Sequence, residues 1–244
     1  MRRRPRAVAV NVGANTGEPG FRGPIRANGS FTFVPIPETE STIVPPPTYA
    51  DLGLDLPFEL PQSVAERPVH LDPEFAEYPR GSHYTYGDPW GVKARPILDL
   101  DAGDYLFFYS TLDTVDSPSS SAAWITPDWG TYLIGQFRLA EDPVTGDEYA
   151  ALPAARRAHF SNNAHLKRDP FDAAVLVAGS DASRLYDRAV PLSGATGTAA
   201  THVVTEWSSD SGKGPWWRRP LRFGRTATAR LLAYVDRNDY PAVR

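Results

Sequence analysis

Two apolar runs constrain this chain more than any other feature. GDYLFFYSTL ends at Leu112, and TYLIGQFRLA covers residues 131–140. Each is far shorter than the ~20 residues a membrane helix needs. Each is rich in the aromatic and branched side chains that favour strands, and the Gly-Asp pair before the first marks a tight entry turn. Both read as strands, paired as one long hairpin. Around them lie further short strand patterns: AVAVNV near the start, SFTFVPIPE from Ser30, and AAVLVAGS from Ala173. Helical patterns are few. DEYAALPAARRAH (147–159) should break at Pro153. SDASRLYDRAVPLS should be helical to about Val190 with Ser180 or Asp181 as cap, and GRTATARLLAYVD (224–236) should close the chain. The expected class is α+β: a mixed, mostly antiparallel β-sheet or partial barrel with a few flanking helices. With 244 residues and no visible linker, one domain over 1–244 is expected, its core spanning 7–236. The Pro-rich stretch 45–69 should lie across the surface, with its leucines packing down.

Composition removes several chemistries. There is no cysteine, so disulfides, thiolate metal sites and a cysteine nucleophile are excluded. A metal would need His, Asp or Glu ligands, which suits Zn, Fe or Mn, or Mg if only oxygens bind. No serine-hydrolase elbow, zinc-protease helix, phosphate loop or zinc-deaminase pattern is present. The start MRRRPR is basic, but the apolar AVAV that follows is too short for a signal core, so a cytoplasmic protein without a membrane segment is expected. The net charge of −4 gives no nucleic-acid signature by itself. Arginines are nevertheless clustered, and arginine suits phosphate and carboxylate alike.

Three polar stretches offer chemistry. In HLDPEF, His70 and Asp72 are two apart, which places both on one face of extended backbone. Such a pair can hold a metal, or act as a general base with its orienting carboxylate. Alternatively, Asp72 before Pro73 simply starts a turn. In HYTYGD, His83, Thr85 and Gly87 should face one way, and Tyr84, Tyr86 and Asp88 the other. Tyrosines offer flat surfaces for a base or sugar, unless they pack the core. In NNAHLKRD, Asn163, His165, Lys167 and Arg168 could meet a phosphate or a base edge, or form a solvated loop. The Gly-rich segment after AVAVNV adds Asn11, Asn15 and Arg22 as polar groups near a loop that matches no phosphate fingerprint.

Taken together, NVGANTGEPGFRGPI, GSFTFVPIPE, HLDPEF, TYGD, GDYLFFYSTL, YLIGQF, NNAHLKR and AGSDASRL resemble the nucleotide modification associated domain of the third type. The resemblance implies a single α+β domain linked to systems that make or handle modified DNA bases. Carried over residue by residue, it singles out Asn11, Arg22, Glu38, His70, Asp72, Tyr86, Asp88, Asn163, His165 and Arg184. The chain departs from that pattern at PRGSH, between Asp72 and Tyr86. The central strand pair is also similar to the barrel strands of the PUA, ASCH and EVE class, which bind modified bases or RNA.

The expectation is therefore a DNA- or nucleotide-directed protein, acting on or binding a nucleotide or extruded base. His70, Asp72, Asp88 and His165 would carry the chemistry, as proton-transfer groups or as ligands to a divalent metal. Tyr84, Tyr86 or Tyr109 would stack on the base, with Asn11, Asn15, Arg22, Asn163, Lys167, Arg168 and Arg184 as substrate contacts. Two rivals differ in class: a non-enzymatic reader of modified bases, and a scaffold subunit associated with other DNA-modification proteins.

Overall fold

The computed structural model describes residues 6–89, 91–117, 119–237 and 239–242; the basic start of the chain lies outside them. The eleven strands it contains are β1 (Ala7–Asn11), β2 (Gly23–Ile25), β3 (Ile36–Pro37), β4 (Val69–His70), β5 (Thr85–Asp88), β6 (Tyr105–Thr114), β7 (Trp129–Arg138), β8 (Val144–Thr145), β9 (Val175–Ala178), β10 (Arg184–Pro191) and β11 (Leu221–Phe223). The fold is α+β with mostly antiparallel pairing. The sheets are open, and no barrel closes among the described residues. No helix among them is long and apolar enough to cross a membrane.

The chain folds as two compact units, each built from separated segments. The first takes in the chain up to Val34, Phe107–Gly135 and the chain from Tyr186 onward. Its sheet has the order β10-β7-β6-β1-β11, with β2 alongside the end of β6. The two apolar runs are neighbours at its centre, as their composition requires. Adjacent residues point to opposite faces of a strand, yet Phe107, Phe108, Leu133 and Ile134 are all fully buried. Both faces are therefore covered, which explains why the runs show no alternation.

Residues 181–190 are a correction. They form no helix; Arg184–Pro191 is the edge strand β10, next to β7. Leu, Arg and Ala give the segment good helix propensity, but pairing with a long buried strand outweighs a local preference worth tenths of a kcal/mol per residue. The SFTFVPIPE expectation holds only at its end, where Ile36 and Pro37 form β3; Phe31 makes an isolated bridge to Ile25. The closing helix is present as Arg225–Val235, and the helix before it breaks at Pro153 into Gly146–Tyr149 and Ala154–His159.

The second unit comprises Pro35–Leu106 and Gln136–Leu185. Its ladders are short: β3 with β4, and β5-β9-β8. Ile36 faces His70 in the first ladder, and Gly87 faces Leu176 in the second. A small core of Phe160, Ala173, Leu176 and Ala178 sits beneath, joined by Tyr149, Leu152 and Leu166. These ladders do little for stability by length alone. They fix the backbone at His70 and at Gly87.

Candidate metal centre

Four pieces of backbone converge in the second unit. β4 presents His70, and Asp72 follows it after a turn closed by the Asp72 amide on the His70 carbonyl at 2.9 Å. The 3₁₀ turn Ala164–Lys167 presents His165; its cap Asn163 accepts a hydrogen bond from the His165 amide at 3.1 Å. Residues 41–43 run beside 167–169, with the Ile43 amide on the Lys167 carbonyl and the Asp169 amide on the Ser41 carbonyl. That pairing carries Glu38 and Arg168 to the same place. β5 supplies Gly87 as the floor.

The result is a tight polar cluster. His70 Nδ1 lies 2.6 Å from Glu38 Oε2, and His165 Nδ1 lies 2.8 Å from Asp172 Oδ1. Each carboxylate accepts the Nδ1 proton of its imidazole, so each Nε2 carries a lone pair. Arg168 ties the two carboxylates together. Its Nη2 and Nε donate to Glu38 at 2.8 and 3.1 Å, and its Nη1 donates to Asp172 at 2.6 Å. The Arg168 Nη2 also comes within 3.1 Å of His70 Nδ1, but the 2.6 Å contact to Glu38 decides which group that nitrogen serves.

The two lone pairs then face each other, with His70 Nε2 and His165 Nε2 only 3.2 Å apart. Asp72 Oδ2 stands 3.7 Å from the same His165 nitrogen. One ligand atom from each of His70, Asp72 and His165 lies within 4.8 Å of the others, and all three residues are buried. Asp72 is itself held, accepting from the Gly87 amide at 3.0 Å and from Asn163 Nδ2 at 2.9 Å.

Electrostatics sharpen the picture. Burial pushes the Asp72 carboxyl well above the usual range, against the pull of the Gly87 and Asn163 hydrogen bonds. Burial, helped by the neighbouring His70, lowers His165 to about 4 despite Asp172. Burial would also raise Glu38, but His70 and Arg168 outweigh it and bring that carboxyl down to about 2. The cluster therefore keeps its outer carboxylates charged, its His165 imidazole neutral and its inner carboxylate short of positive charge.

Two imidazole nitrogens and one carboxylate oxygen, all converging, are donor types that could hold a transition-metal ion such as Zn²⁺ or Fe²⁺. Carboxylates on the far ring nitrogens are what orients such imidazoles and raises their basicity. Gly87 is part of the cradle. A Cβ there would meet His165 Cδ2 at 2.6 Å and Asn163 Oδ1 at 3.1 Å. Gly87→Ala should leave the chain folded but weaken divalent-metal affinity roughly 10- to 100-fold, as disturbed ligand supports commonly do. Titration with Zn²⁺ against a chelating indicator checks this, and an unchanged affinity would show that the His165 ring is not held by that floor.

The structure thus unites His70, Asp72 and His165 as a candidate ligand cluster, of which Asp88 is not a member. Asp88 accepts from the Tyr86 hydroxyl at 2.9 Å and pairs with Lys93 at 3.4 Å. The alternation expected for HYTYGD holds: Thr85 and Gly87 meet Asn163 and His165, while Tyr86 and Asp88 bond each other. Asn163, Lys167 and Arg168 belong to the same region, but their polar groups are engaged internally. Asn163 holds Asp72 and Thr85, Lys167 Nζ donates to Asn162 Oδ1 at 2.6 Å, and Arg168 bridges carboxylates.

The stacking expectation fares worse. Tyr86 is buried, and Tyr109 is fully buried with its hydroxyl donating to the Arg219 carbonyl. Neither exposes a face to a base. Tyr84 is half-buried, edge-on to Phe137. Arg184 is exposed at the start of β10. Asn11, Asn15, Arg22 and Tyr109 all fall in the first unit. There Asn11 reaches the Tyr109 carbonyl, Asn15 closes a turn onto Gly17, and Arg22 pairs with Asp113 at 2.8 Å and lies over Trp129. Asp172 escaped sequence reasoning entirely; its signal was the i, i+4 pairing with Arg168. Glu38 was singled out by resemblance alone, with no role attached.

Comparison with known families gives one match. The family model for nucleotide modification associated domain 3 covers residues 6–234. The chain belongs to this family. That links this nucleotide modification associated domain to nucleotide modification, the involvement its family description carries. No curated protein and no solved structure matches the chain.

Proposed function

We propose that this domain is a metal-dependent enzyme that modifies a nucleotide or a base of DNA. His70, Asp72 and His165 hold a divalent transition-metal ion, and Glu38, Asp172 and Arg168 hold the two imidazoles in place. One observation carries this reading: two imidazole lone pairs held 3.2 Å apart beside a buried carboxylate. With both Nδ1 protons on the carboxylates, neither Nε2 donates to the other, and a divalent ion between them would satisfy both lone pairs. Burial disfavours a proton on His165 in that place. With three protein ligands, such an ion retains a position for water or substrate and can act as a Lewis acid there.

A second reading has its own observation. His70, Asp72 and His165 are only 4 %, 6 % and 3 % exposed, and closed sites often hold an ion for structure alone. One experiment separates the two. Purified protein is assayed for bound metal, then incubated with DNA and with free nucleotides, and the bases are analysed by mass spectrometry. Metal-dependent change of a base that disappears in Asp72→Asn supports the enzyme. Bound metal whose removal unfolds the protein, with no base altered, supports the structural ion. A protein that retains no metal and loses nothing to a chelator would end both.

A further inference from the structure

The first unit has its own cavity, of about 520 Å³, within the range of about 300–1,000 Å³ in which small-molecule sites fall. Its walls include Pro191, Ser193, Thr201, His202, Tyr234 and Pro241. Three polar tips on these walls lack hydrogen-bond partners among the described residues. The Thr201 hydroxyl is buried and unpaired. The His202 ring makes its contacts with other rings, edge-on to Trp207 at 4.9 Å and to Tyr234 at 6.0 Å, which leaves its nitrogens unbonded. The Tyr234 hydroxyl is likewise unbonded, although its ring packs against Tyr240 at 4.9 Å. Buried polar groups are ordinarily satisfied, so the buried, unpaired Thr201 hydroxyl in this wall points to a missing partner. The backbone agrees: His202 leads directly into a π-helical turn, Val203–Trp207, and such turns concentrate at functional sites.

The lining also selects the chemistry. Among the described residues no Asp, Glu, Lys or Arg lines it, although Arg237 lies over the Tyr234 ring at 5.7 Å. A charged ligand would lose its hydration there without gaining a counter-charge. Aromatic edges with mixed donors and acceptors suit a flat, neutral ring that carries both. We propose that this cavity binds the base of an uncharged nucleoside, with Thr201, His202 and Tyr234 reading its polar edge. The choice of ring draws on the link to nucleotides given by the family; the site itself does not depend on the metal centre.

Calorimetric titration of the full chain with adenosine, guanosine, cytidine and thymidine, with and without EDTA, tests this. At least one nucleoside should bind saturably, equally well with chelator present. Thr201→Val and Tyr234→Phe keep side-chain volume and should each weaken binding roughly 3- to 10-fold, the worth of one neutral hydrogen bond. Should either fail to fold by circular dichroism, His202→Phe reads the same wall. The matching 5′-monophosphate should bind no tighter than its nucleoside. The proposal falls if no nucleoside binds at low-millimolar concentration, if folded variants bind as the parent does, or if the monophosphate is clearly preferred. Failure here with metal-dependent base modification intact would leave the second-unit centre standing.

Discussion

His165→Ala should abolish tight metal binding, and with it any base modification, while the chain stays folded. Four-ligand zinc sites are worth about 10–16 kcal/mol in total, or roughly 2.5–4 kcal/mol per ligand. Losing one imidazole should therefore weaken binding by roughly 10²–10³-fold. Asp72→Asn is the more informative partner. The parent carboxylate is buried, and its charge is disfavoured there. Asparagine keeps an acceptor for the Gly87 amide and for Asn163 Nδ2, which now bond the carboxylate, and removes the charge. The metal-free variant should thus be as stable as the parent or more so, yet gain nothing from added metal. The parent should gain RT ln(1 + [M]/Kd), a rise in melting temperature that follows metal concentration. A residue kept at a cost to the empty fold is the mark of a functional group. If Asp72→Asn lowers metal-free stability by several kcal/mol and binds metal normally, Asp72 is a structural carboxylate and the ligand assignment is wrong.

How far the sequence foretold this depends on what kind of information each residue carries. β6 and β7 were legible because strands covered on both faces leave an unbroken apolar run. The break at Pro153 was legible because proline acts locally. β10 was not, since its partner strand, rather than its own residues, decides between helix and strand. The same division runs through the site. His70 with Asp72 could be read as a pair because their spacing alone puts them together, and His165 stood out in a polar loop. Glu38 is 130 residues from Arg168 and 32 from His70. No local pattern reports that these three share a hydrogen-bond network. Arg168 was read as a phosphate contact because isolated arginines suit phosphate. In the fold it answers two carboxylates instead. Tyr86 and Tyr109 were read as stacking surfaces because a tyrosine's burial is set by packing that composition does not reveal.

Arg168→Ala should cost about 3–5 kcal/mol of unfolding free energy at pH 7, the usual result of breaking a buried ion pair from one side. Glu38 and Arg168 are both buried at their contact, with side chains 3 % and 11 % exposed, so solvent offers little compensation. The loss should depend on pH in a defined direction. In the parent, Glu38 titrates at about 2 rather than 4.5, so its contribution is full above pH 4.5 and disappears as pH falls towards 2. His165 acts with the same sign: titrating at about 4 rather than 6.5, it stays neutral in the fold while the unfolded chain takes up a proton. In metal-free parent protein His165 should therefore withdraw stability between about pH 6.5 and 4, and Glu38 between about 4.5 and 2, while the raised Asp72 carboxyl acts in the opposite sense as it takes its proton. In Arg168→Ala the stranded Glu38 charge takes a proton at higher pH, which relieves part of the penalty. The gap between variant and parent should accordingly be largest near pH 7 and shrink on acidification. Urea unfolding in EDTA at several pH values measures both curves. A gap below about 1 kcal/mol at pH 7 that stays constant down to pH 4 would mean that Arg168 does not hold the two carboxylates, and that His70 and His165 are oriented by something other than the network they share.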